Sequence, residues 1–111
     1  MCFKRKVKVE YFEVDRKLIM ELSATIGSLL ELDKVNFNKK YKNELIEIRN
    51  QITYLSPRHN SEVLIIDNKI KDKLYDLKIL LYKKDEIRDS EIASIILDIN
   101  VLIKDRAIKE I

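Results

Sequence analysis

FNKKYKNELIEIRNQITYL, residues 37–55, sets Phe37, Tyr41, Leu45, Ile48, Ile52 and Leu55 at spacings of four, four, three, four and three. That is the 3.6-residue period of a helix with one apolar face, and polar or charged residues fill most positions between. Asn36 stands where an N-cap side chain would accept from the first turn. Ser56 and Pro57 close the run, because proline disfavours a helical residue before it and suits the first position of the next helix. A helix is predicted over 37–55.

The same period continues on both sides. Leu18, Leu22, Ile26 and Leu29 predict a helix over about 16–32, with Asp15 as its cap. Val63, Ile66, Ile70, Leu74, Leu77 and Leu81 predict a third over about 58–84, ending where Lys83, Lys84, Asp85 and Glu86 accumulate charge. Asp89 or Ser90 caps a fourth over about 90–108, whose inner face holds Ile92, Ile96, Ile99 and Ile103 and continues to Ala107. The connections are short, and short links set sequence neighbours antiparallel. The predicted fold class is all-α: a four-helix up-down-up-down bundle forming one domain over residues 1–111.

Composition points the same way. The chain has 111 residues, 46% apolar and 37% charged, with one glycine and one proline. Those two residues usually make up about 12% of a chain and punctuate its turns, so their scarcity excludes the many tight turns of an all-β fold. Residues 1–14 depart from the helical period: Val7, Val9 and Tyr11 alternate with Lys6, Lys8 and Glu10. Alternation is the period of a half-buried strand, yet nothing else in the chain offers a second strand to pair with it. A short non-helical N-terminal arm is the expectation there.

Charge is distributed by segment. The net charge is +3; residues 34–84 are basic, whereas 15–33 and 85–111 are acidic. Alternation of this kind between neighbouring helices favours their mutual attraction. Lys4, Arg5, Lys6 and Lys8 form a basic run that could contact an anionic partner such as nucleic acid. Lys39, Lys40 and Lys42 do not extend it, because they point in different directions around one helix.

Motifs that carry chemistry are largely missing. One cysteine excludes an internal disulfide framework and a four-cysteine zinc site, and it fits a cytoplasmic location. The single Gly27 excludes glycine-rich phosphate loops. One histidine, His59, excludes two-histidine zinc motifs and paired Glu-x-x-His di-iron helices. His59 with Glu62, or with Ser56, reads as a polar turn and not as a catalytic pair. Cys2 beside the basic run is the one position where lipidation could be imagined, but no apolar segment precedes it. The longest uncharged stretch, Leu22 to Leu30, is nine residues, against about 20 for a spanning helix. Asp67, Asp72 and Asp76 read as pointing away from the Ile70 stripe. The expectation is a non-enzyme without metal or cofactor.

The informative surplus is apolar. Leu64, Ile65, Tyr75, Ile79 and Tyr82 stand opposite Ile70 on the third helix, and Leu97, Val101 and Ile108 stand opposite Ile99 on the fourth. A bundle buries one stripe per helix, so a second row requires other cover. Tyr75, Ile79, Tyr82, Leu97, Val101 and Ile108 are therefore the candidate interface of a self-associating interaction or structural module, a homodimer with room for another protein partner. The alternative is a nucleic-acid-binding accessory or regulatory protein acting through the basic arm.

Overall fold

Each apolar stripe becomes the inner face of a helix. The computed structural model describes residues 2–36, 38–55, 61–82 and 89–109, with side chains described from Glu13 onward except those of residues 34 and 36. The elements are α1 (Cys2–Leu30), the single turn α2 (Asp33–Asn36), α3 (Lys39–Thr53), α4 (Ser61–Tyr82) and α5 (Asp89–Lys109). No strand occurs among the described residues, and the packing of the four long helices is that of a helical bundle. α1 lies against α3 and α4, α4 against α5, and α3 touches α5.

The core is aliphatic. Leu22, Ile26 and Leu29 of α1, Val35 of α2, Leu45, Ile48 and Ile52 of α3, Ile70, Leu74 and Leu77 of α4, and Ile92 and Ile99 of α5 are essentially inaccessible to water. Full burial of each such side chain contributes about 1.5–3 kcal/mol relative to exposure. This packing holds the many isoleucines helical despite their middling propensity.

The reversal between α1 and α3 is made without glycine. Glu31 N–H donates to Ser28 O, Leu32 to Leu29, Val35 to Leu32 and Asn38 to Val35, each an i to i−3 bond of 3.1–3.3 Å. Such bonds keep the backbone at ordinary negative φ, and no residue of the chain has a positive φ. Val35 plugs the corner, fully buried. Asn38, with φ −107° and ψ 99°, caps α3 by accepting from the N–H groups of Lys40 and Tyr41. The cap is therefore Asn38 and not Asn36, which closes α2.

Two expectations are overturned. Residues 2–14 are not a non-helical arm, because α1 is one continuous helix from Cys2. A strand without a partner leaves its backbone groups unpaired, whereas a helix satisfies them within the segment, and the Lys, Arg and Glu residues between the valines are good helix formers. Glu13 and Arg16 pair at 3.0 Å across the boundary expected between arm and helix. Asp15 consequently caps nothing; it is an interior residue of α1. On α5, Ala107 is exposed and Arg106 takes the inward position after Ile103.

Phe37, Ser56, Pro57, His59 and the Lys83–Glu86 run lie outside the described residues. Lys4, Arg5, Lys6 and Lys8 fall on the first two turns of α1, and their side chains, like that of Cys2, lie outside the described set.

Candidate functional site

Three charged side chains share the interior. Asp15 of α1, Asp67 of α4 and Arg106 of α5 are each fully buried. Helical register brings them there: Asp15 precedes Leu18 by three residues, Asp67 follows Val63 by four, and Arg106 follows Ile103 by three. Arg106 Nε–H donates to Asp67 Oδ1 at 2.7 Å, and Arg106 Nη2–H donates to Asp15 Oδ2 at 3.1 Å. One guanidinium thus bridges two carboxyl groups carried by two other helices.

The charges do not balance. With both acids ionised the cluster would hold one excess negative charge in a dry interior, where each uncompensated ion costs several kcal/mol. Burial pushes the Asp67 carboxyl up to about 8, helped by its hydrogen bond to Asp15 and opposed by Arg106. Near neutrality Asp67 is accordingly the neutral acid. Its Oδ2 accepts no hydrogen bond among the described residues, as suits the oxygen that carries the proton and donates it to Asp15.

The sequence reading missed this cluster. Asp67 was expected on the outer face of its helix, but it lies only about 60° from Ile70 by helical position. Asp72 and Asp76 are exposed, as expected. Because the three clustered groups are wholly enclosed, their arrangement fastens helices and offers no surface to a substrate. Among the described residues, no group of three His, Cys, Asp or Glu side chains could hold a metal ion, and no helix is long and apolar enough to cross a membrane.

The outer surface carries a different feature. A groove of about 500 Å³ between α4 and α5 is lined by Ile79, Leu80, Ser90, Glu91, Ser94 and Ile95, with Lys73, Asp76 and Asp98. A second, of about 320 Å³, is lined by Val101 and Leu102 with Lys69, Asp72, Lys73 and Asp98. Lys73 Nζ and Asp98 Oδ2 pair at 3.1 Å and border both.

The six apolar residues singled out in the sequence are all exposed, from 42% for Tyr75 to 64% for Ile108. They do not share one surface. Ile79 and Val101 line the α4–α5 grooves, whereas Leu97 and Ile108 line neither. Tyr75 lies under Lys71 Nζ, 6.0 Å from the ring centre, and Lys71 pairs with Glu21 of α1 at 3.2 Å. Tyr82 lies under Lys78, 5.7 Å from its ring. Both tyrosines thus have partial cover of their own.

Comparison with protein-family models, with curated proteins and with solved structures gives no match to this chain.

Proposed function

We propose that the chain is a non-enzymatic interaction module that self-associates through the outer face of α4 and α5. The observation that carries the reading is the apolar seam between them, where Ile79 and Val101, 58% and 50% exposed, line adjoining grooves floored by Leu80, Ile95 and Leu102. A second copy fits this seam because its borders carry both signs, with Lys69 and Lys73 set among Asp72, Asp76, Glu91 and Asp98. A twofold axis can then place each sign against its opposite, and twofold dimers are the commonest soluble assemblies.

Ion pairs support the up-down-up-down order that makes α4 and α5 a hairpin. Glu21 with Lys71, and Asp15 beside Asp67, advance together along α1 and α4. Glu62 with Lys109, Asp67 with Arg106, and Lys73 with Asp98 run in opposite senses along α4 and α5. The lone cysteine supports a cytoplasmic setting.

The test is substitution at the seam. Ile79→Asp and Val101→Asp, made singly and together, should halve the mass measured by light scattering after size exclusion while leaving the helical circular dichroism unchanged. A double variant that keeps the wild-type assembly would overturn this interface.

A further inference from the structure

We propose that α1 is fastened to α4 and α5 by a proton on Asp67, whose loss at alkaline pH releases the part of α1 around Asp15. The geometry carries the inference. Arg106 has one charge to share between two buried carboxyl groups, and each of the three side chains comes from a different helix. Removal of the Asp67 proton to solvent base leaves one negative charge in excess inside the bundle. Water must then reach the cluster, and the shortest way is for one of the three helices to part from the others.

α1 is the helix with the least to hold it at this level. Glu13 and Val14, just before Asp15, are exposed, and the buried run of α1 resumes only at Leu18. Asp67 sits between Val63 and Ile70 and Arg106 follows Ile103, all four within the packed α4–α5 pair. The opening is thus local, a loosening of α1 before Leu18 and not a loss of the bundle.

The surrounding charges do not neutralise the excess. Lys71, one turn beyond Asp67, is engaged by Glu21 of α1, and Glu62, five residues before it, by Lys109 of α5. On α3, which packs on α1 and α5, Glu47 is exposed and Arg49 half-buried. Arg106 is left as the counter-charge inside. Burial and the Asp15 hydrogen bond raise the Asp67 carboxyl far above its ordinary value of 3.8, which sets the switch above neutrality.

Backbone amide exchange, corrected for its intrinsic base catalysis, reads the device directly. Protection of amides near Asp15 in the wild-type chain should fall about tenfold per pH unit above the Asp67 transition, while those of Ile48 and Ile52 in α3 hold steady. Asp67→Asn keeps a donor toward Asp15 and an acceptor for Arg106 but cannot ionise, so its α1 protection should not change with pH. The same pH-dependent loss in Asp67→Asn, or none in the wild type, would overturn the proposal. Should Asp67→Asn fail to fold, the carboxyl carbon shift of Asp67 in the wild type decides: a midpoint above neutrality supports the proton clamp, and one in the ordinary carboxylate range refutes it.

Discussion

Arg106 and Asp67 stand 39 residues apart in the chain, yet Arg106 Nε–H donates to Asp67 Oδ1 at 2.7 Å with both side chains sealed from water. The contact ties α5 to α4, and through Arg106 Nη2 and Asp15 to α1 as well. A buried ion pair is weak evidence of net stability, because desolvation offsets most of the attraction. Its removal is another matter.

Replacing Arg106 by Met should destabilise the chain by about 3–5 kcal/mol, since it strands a buried carboxylate. Adding Asp15→Leu and Asp67→Leu to the same chain should restore most of the loss, because an apolar trio carries no desolvation cost. Urea denaturation of the single and triple variants measures both. A triple variant no more stable than the single one would show that the cluster contributes more than charge balance.

Tyr41 supplies a second long-range polar contact. Its O–H donates to Asp89 Oδ1 at the start of α5, and burial, with that acidic neighbour, raises the phenol to about 12. A raised folded value means that the folded chain keeps a proton the unfolded chain has released. Stability from this group is therefore full below about 10 and falls as pH rises from there to about 12. Tyrosinate absorbance in the ultraviolet should show one of the five tyrosines titrating late, and Tyr41→Phe should remove that late phase.

Gly27 lies inside α1 with nothing within 4 Å of where a Cβ would stand, and its φ is not positive. Gly27→Ala should stabilise the chain by about 0.5–1 kcal/mol by lowering the entropy of the unfolded state and favouring the helix. A lower melting temperature in this variant would mean that the outer side of α1 is covered in solution by something the chain itself does not provide.

Ile48 and Leu74 are fully buried on α3 and α4. Truncating either to Ala should destabilise by about 2–5 kcal/mol. Thermal or chemical melts measure it, and values near zero at both sites would invert the assignment of inner and outer faces.

Much of the fold was legible because periodicity is a direct imprint of burial. Tyr41, Leu45, Ile48 and Ile52, like Val63 through Leu81, were placed inward by spacing and lie there. The first fourteen residues misled because Val7, Val9 and Tyr11 alternate, and a two-residue period says nothing of whether a partner strand exists. The buried cluster was hidden for a different reason. Asp15, Asp67 and Arg106 are residues that ordinarily seek water, and an acid in register with an apolar stripe is first taken as a helix cap or an outer-face residue. The legible sign was the combination: two helices with an acid in register with the core and one with a base, which together can satisfy each other inside. Ile79 and Val101 were found as surplus apolar residues, but only the packing of α4 on α5 separates them from Tyr75 and Tyr82.

The solution mass of the wild-type chain at micromolar concentration bears most directly on self-association through the α4–α5 seam. Light scattering coupled to size exclusion should give about 26 kDa, twice the 13.2 kDa of one chain. A mass of 13.2 kDa that persists as concentration rises would contradict the account.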